Sequence, residues 1–208
     1  MNIIKTNWTW SEKLSSRSTT KYVILHHAGI SQCTVTEIDK WHKNQGWSGI
    51  GYHFFISKTG LIYEGRPLST IVAHCINYNS NSVGICFEGN FETEQMNRVQ
   101  ICAGQELILY LQTIYPNALI KAHRDLFSTV CPGKNFPIKY FTDIKKQKEE
   151  KQMEYYDWTL ACPQWSIPYV QKALDMGLIK GDEQGRLRLT DDKIWVLVVI
   201  MRATKIMN

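Results

Sequence analysis

The sequence predicts an α/β fold, a mixed central β-sheet flanked by helices, with a small helical C-terminal domain behind it. Three observations carry this. Up to residue 141, short apolar runs bounded by glycine alternate with longer segments of helical spacing. Two of the apolar runs are close enough to form a hairpin. A charged stretch at 142–157, "TDIKKQKEEKQMEYYD", then separates this region from a differently patterned tail.

Taken in order, "KYVILHHAG" (21–29) reads as a buried strand closed by Gly29. "TVTEIDKWHKNQGW" opens with a capping box, Thr34 to Glu37, and reads as a helix ending near Gly46. "GYHFFISKTGLIYEGR" (51–66) is two strands around the turn Lys58-Thr59-Gly60. "SVGICFEGNF" (82–91) is a further strand. Residues 92–115 carry Val99, Cys102, Leu107 and Leu111 at helical spacing and stop before Pro116. "ALIKAHRD" returns as a last strand and loop. In the tail, "PQWSIPYVQKALDMGLIKGDEQGRLRL" reads as a helix ended by Gly177, a glycine-punctuated loop, and a second helix from about 191. The expected boundaries are 1–141, a linker at 142–157, and 158–208.

Composition narrows the function classes. The chain has 208 residues, 44% hydrophobic and 21% charged, the balance of an ordinary globular protein. Its net charge of +5 is too small, and its basic residues too scattered, to argue for nucleic-acid binding. The longest apolar run, "IWVLVVIM" (194–201), is far short of the roughly 20 residues a membrane span needs. The N-terminus lacks the basic-then-apolar layout of a secretory signal, so synthesis in the cytoplasm is expected. Six scattered cysteines without a CxxC pair are expected to be thiols rather than a disulfide scaffold.

The chemistry-bearing residues are few. His26 and His27 are adjacent in a strand, so their side chains point to opposite faces and one ion is not gripped by both. His123 is followed eight residues later by Cys131 in "AHRDLFSTVCPG". Two histidines and a cysteine would leave the fourth tetrahedral position of zinc open, the catalytic rather than the structural arrangement. From residue types alone, this reading and separate structural roles for each side chain stand as alternatives.

"HHAG", "WHKNQGWSGIGYHFFISKTG", "AHC", "VGICFEGNF" and "AHRD…TVCPG" occur in the order found in phage-type N-acetylmuramoyl-L-alanine amidases. Peptidoglycan recognition proteins, which share the fold, show a similar series. Over residues 20–135 the chain resembles this family. The resemblance implies hydrolysis of the amide between N-acetylmuramic acid and L-alanine in peptidoglycan, with Zn2+ bound by His26, His123 and Cys131. It places Tyr52 near the reacting water, Thr129 where other members carry lysine or threonine, and His74 where some members have a groove-lining histidine, with a hydrogen-bonding role and no chemistry as the alternative. Trp41 and Trp47 are expected in the core, with a place flanking that groove as the alternative for Trp47. His42 and His53 match no ligand and are read as packing or hydrogen-bonding residues. Glu88 is read as a solvated strand residue, because members with an acidic base in this strand carry it where this chain has Cys86.

Together with the missing signal, the resemblance further implies a phage or prophage endolysin acting at the cell wall after holin-type release, with a bacterial autolysin as the close alternative. The competing class is a non-catalytic peptidoglycan-binding module, whose members typically replace the cysteine ligand retained here as Cys131. Inhibition of an RNA polymerase, found in one branch of the family, has no support in this sequence beyond kinship. The tail resembles a single surface-layer homology repeat, with "TDDK" at 190–193 replacing the usual Thr-Arg-Ala-Glu run. That implies docking to a cell-wall polysaccharide, with packing or dimerisation as the alternative.

Overall fold

The computed structural model describes residues 2–142, 144, 167–179, 194, 197, 198 and 201. Residues 1–144 and 145–208 form two compact units. The first contains a six-stranded sheet built from β1 (Ile3–Ile4), β2 (Tyr22–His27), β3 (Phe54–Ile56), β4 (Ile62–Glu64), β5 (Ser82–Phe87) and β6 (Leu119–Ala122). Their order across the sheet is β1-β4-β3-β5-β2-β6. Only β3 and β4 pair antiparallel, as the hairpin expected around Gly60; the other neighbours are parallel. The mixed α/β sheet is therefore the architecture observed.

The helices follow from local chemistry. Helix α1 (Val35–Asn44) starts at the Thr34/Glu37 capping box, with Thr34 N–H donating to Glu37 Oε2 at 2.8 Å. Helix α2 (Arg98–Ile114) begins later than the sequence pattern suggests, because the Asn97 side chain accepts from Gln100 N–H and caps it there. Its buried stripe is Gln100, Ala103, Gly104, Leu107, Ile108 and Leu111. Val99 and Cys102, expected on that stripe, are only half-buried, since the tight Gly104 crossing over Phe87 sets the helix's rotation.

Alternation along the strands divides the protein into two faces. Val23, Leu25, Phe54, Ile56, Val83, Ile85 and Phe87 face α2 and form the main core, completed by Phe136 and Phe141. Phe141 belongs to the short helix α3 (Lys139–Thr142). Full burial of such side chains contributes about 1.5–3 kcal/mol each. Phe55 and Cys86 lie on the other face, packed with Val35 and Ile38 of α1. Only part of that face is apolar; the rest carries His26. Trp41, expected in the core, is instead 37% exposed. The indoles packed against this smaller cluster come from the N-terminal arm, Trp8 and Trp10.

In the second unit, helix α4 (Ile167–Asp175) stops just before Gly177, as its sequence indicates, with Val170 and Ala173 buried. Ile194, Val198 and Met201 are helical and buried, at the spacing expected of a second helix. Nearly all of the charged linker and most of the loop of the surface-layer-like pattern lie outside the described residues.

Candidate metal centre

The centre forms where β2, the segment preceding β3, and the loop after β6 meet. His26 is the penultimate residue of β2 and its side chain is almost fully buried, at 1% exposure. His27, one residue on, points to the opposite face. There its Nδ1 accepts from Phe91 N–H at 3.1 Å and its ring stacks on Phe91. The alternation expected of "HHAG" is thus realised, and only His26 reaches the centre.

β6 delivers His123 at the start of a short 3-10 turn (His123–Asp125), held by Ala122 N–H donating to Asp125 Oδ2 at 2.9 Å. The chain then doubles back, and Arg124 staples the loop twice. Its backbone N–H donates to Cys131 O at 2.9 Å and its Nη1 to Gly133 O at 2.7 Å. These bonds bring Cys131 beside His26, with Sγ 3.7 Å from His26 Nδ1. One ligand atom each from His26, His123 and Cys131 lies within 4.8 Å of the others. This group could bind a metal ion.

The donor set fits a borderline-soft divalent ion. Burial holds His123 below the ordinary histidine value, and burial with the neighbouring His74 and His123 holds His26 well below it. Both imidazoles are therefore neutral, with a lone pair to offer. His123 Nε2 is buried without a hydrogen-bond partner, so no bond at that atom competes with ligation. Burial pushes the Cys131 thiol up to about 11, against the opposing pull of the His27 backbone N–H and Arg124. A bound cation reverses that balance and draws the thiolate.

Tyr52 overlooks the centre, its ring centroid 5.1 Å from that of His26. It sits in an irregular segment whose backbone groups are satisfied by buried and half-buried side chains. Ile50 N–H donates to Asp39 Oδ1 (2.8 Å), Gly51 N–H to His42 Nδ1 (2.9 Å), and Arg66 Nε donates to Ile50 O (2.8 Å). Asp39 and Arg66 are contributors that sequence reasoning missed; the only hint was a charged residue on the inner face of α1. Burial, then the adjacent Cys86 and Cys131, push the Tyr52 phenol well above its usual pKa, so it remains an O–H donor. Thr129 Oγ1 accepts from Cys131 N–H at 3.2 Å, within the ligand loop.

His74, expected to line the groove, is buried at 9% exposure. Its Nδ1 is 2.6 Å from His26 Nε2 and its Nε2 is 3.0 Å from Ser82 Oγ, so both ring nitrogens are already engaged. Trp47 is half-buried and stacks on His42, with centroids 4.5 Å apart. His42 and His53 are hydrogen-bonding residues, as their motifs indicate. His53 accepts from Gly84 N–H at Nδ1 and donates to Thr70 O from Nε2. Glu88 is not solvated. It is 8% exposed, accepting from Cys33 N–H (3.2 Å) and Lys58 N–H (2.7 Å), because the loops flanking it need a buried acceptor. Cys33, Cys75, Cys86, Cys102 and Cys131 are all free thiols.

The profile of the Amidase_2 family, described as N-acetylmuramoyl-L-alanine amidase, matches residues 16–134, which span every part of this centre. The chain belongs to that family. It is 32% identical over 148 residues to peptidoglycan-recognition protein SC2 of Drosophila simulans, covering 64% of this chain and 80% of the relative. It is 34% identical over 109 residues to the endolysin of Escherichia phage T7, covering 48% and 69%. The solved structure of N-acetylmuramoyl-L-alanine amidase LysC from Clostridium intestinale URNW superposes with a TM-score of 0.67 at 38% identity, covering 71% of this chain and 98% of that one. No helix among the described residues is long and apolar enough to cross a membrane.

Proposed function

We propose that this chain is a zinc-dependent N-acetylmuramoyl-L-alanine amidase that cleaves the bond between the lactyl group of N-acetylmuramic acid and the L-alanine of the stem peptide. The observation that carries the reading is the convergence of His26, His123 and Cys131 within 4.8 Å, with Tyr52 against them. His26 lies far in sequence from His123 and Cys131, and three protein ligands leave one coordination position for chemistry.

A zinc ion bound there supplies Lewis acidity toward the scissile carbonyl and toward water at neutral pH. The chain's own groups supply the rest. The Tyr52 phenol, kept protonated by burial, donates a hydrogen bond to the carbonyl oxygen as negative charge develops on it. Thr129 holds the Cys131 backbone N–H through its oxygen and retains its own hydroxyl proton for a second, neutral donation. Trp47, stacked on His42, flanks the groove as an apolar wall for the glycan or stem. Glu88 has no part in the chemistry, because both its oxygens accept backbone N–H groups elsewhere.

We assign the biological role to a phage or prophage endolysin, and docking to a cell-wall polysaccharide to residues 158–208. The endolysin relatives support the first and the helix–"GLIKGD"–loop pattern the second. The deciding experiment is mass spectrometry of peptidoglycan digested by the full chain, with and without chelator. Free stem peptides with an N-terminal alanine are expected, dependent on zinc and abolished by Cys131→Ser in a variant that stays folded. Retention of intact muropeptides alongside tight wall binding would instead identify a binding module.

A further inference from the structure

We infer that His74 is a positioning residue that holds His26 in the tautomer able to ligate through Nδ1, and that Ser82 sets His74 in the same way. The inference rests on the reading of His26 as a metal ligand. It goes further by assigning work to two side chains outside that ligand set.

The direction of each proton follows from the far end of the chain of hydrogen bonds. Ser82 Oγ lies 2.7 Å from the carbonyl oxygen of Tyr78, which can only accept, so the single hydroxyl proton goes there. Ser82 Oγ must then accept from His74 Nε2, 3.0 Å away. With its proton on Nε2, neutral His74 presents a lone pair at Nδ1. His26 Nε2, 2.6 Å from that lone pair, is left to donate. The remaining nitrogen of His26, Nδ1, therefore carries the lone pair, and it is the atom beside Cys131 Sγ. One backbone carbonyl thus dictates the ligating nitrogen through two intervening side chains. It does so without a carboxylate, the partner more commonly placed behind a ligand histidine.

The sheet is built to admit this arrangement. Ser82, Gly84 and Cys86 alternate onto the same face of β5 as His26 on β2, with His26 opposite Cys86 in register. His74 lies over Gly84, where a Cβ would come within 2.8–2.9 Å of three ring atoms. Glycine at this position is what lets the imidazole fit between His26 and Ser82. The loop holding His74 is fixed separately, with the N–H groups of His74 and Cys75 both donating to Asn79 Oδ1 at 2.9 Å. All three relay side chains are buried, at 1%, 9% and 0% exposure, so water does not compete for these bonds.

The test compares the full chain with His74→Ala, Ser82→Ala and the hydroxyl-retaining Ser82→Thr. Zinc affinity is measured by competition with a chromogenic chelator, and imidazole tautomers by long-range 1H–15N correlation of the metal-free protein. Wild type is expected to show His26 and His74 both protonated at Nε2. His74→Ala is expected to weaken zinc binding by roughly 10–100-fold. Ser82→Ala should weaken it by about tenfold, with Ser82→Thr restoring most of the loss. A wild-type His26 protonated at Nδ1 would overturn the relay, as would zinc binding that both alanine variants leave unchanged. A wild-type chain that does not bind zinc would overturn the metal reading itself, a distinguishable result.

Discussion

Gly133 sits so close to Phe91 that a Cβ on the glycine would lie 2.3 Å from the Phe91 carbonyl carbon and 2.6 Å from its oxygen. The glycine also holds φ at +101°, a conformation L side chains rarely adopt. This contact seats the Cys131 loop on the main core, reinforced by Asn135 N–H donating to Phe91 O at 2.8 Å. Gly133→Ala is expected to cost roughly 1–3 kcal/mol from backbone conformation alone. Because Cys131 lies two residues away, it should weaken zinc binding as well. Thermal unfolding combined with zinc titration checks this; unchanged values for both would separate the ligand loop from the Phe91 seat.

Removing the Tyr52 hydroxyl should expose its part in turnover. Tyr52→Phe is expected to lower kcat by about 10²–10³ with little change in zinc affinity, the cost typical of losing one oxyanion donor. Thr129→Val should slow turnover less, because threonine contributes one neutral hydrogen bond. It should also cost about 1 kcal/mol of stability by leaving the Cys131 N–H without its acceptor. Steady-state release of stem peptide from purified walls is the measurement. A Tyr52→Phe enzyme at full rate would remove the phenol from the mechanism.

Acid should unfold the protein from an unusually high pH. Burial is the main cause that lowers His53 to about 3 and His42 to about 4, while both titrate near 6.5 in the unfolded chain. Between those values the unfolded state binds protons that the folded state refuses. Their stabilisation is therefore complete above about pH 6.5 and is lost as pH falls toward 3–4. The expected slope is ~1.4 kcal/mol per pH unit for each such histidine. Urea unfolding of metal-free protein from pH 7 to 4.5 tests it, and stability that stays flat over that range would contradict the buried neutral assignment.

A chain ended after residue 144 should keep the chemistry and, on the proposal that the tail docks to the wall, lose attachment to intact cells. Every residue assigned to the centre lies before that point, within a unit that has its own core. Zinc content and cleavage of small soluble muropeptides are expected to be near normal, with poor lysis of intact cells. An anchor acts by raising local concentration at the wall, which matters for insoluble substrate and little for soluble substrate. Sedimentation of residues 145–208 with purified walls, and light scattering of both lengths, decide the point. A tail that stays in solution, with truncation merely turning a dimer into a monomer, would favour the dimerising alternative.

Local, repeating signals in the sequence were enough to determine the mixed sheet, the Thr34 cap, the Gly60 hairpin and the end of α4. Each depends on residues within a few positions of one another, so period and capping chemistry report it directly. The alternation of His26 and His27 is equally local, and so was legible. β1 was not, since two residues carry no period. Neither were the start and rotation of α2, which Asn97 and the Gly104–Phe87 contact decide. The burial of Glu88 and His74 likewise emerged only in three dimensions. Whether a polar side chain is solvated depends on which distant backbone groups need a partner, here Cys33 and Lys58 for one and the Ser82–Tyr78 chain for the other. The family resemblance names His26, His123 and Cys131 together, but no local pattern in the residues does. Ligand types can be read along a chain, but a coordination site is a distance between strands, and only the folded sheet sets it.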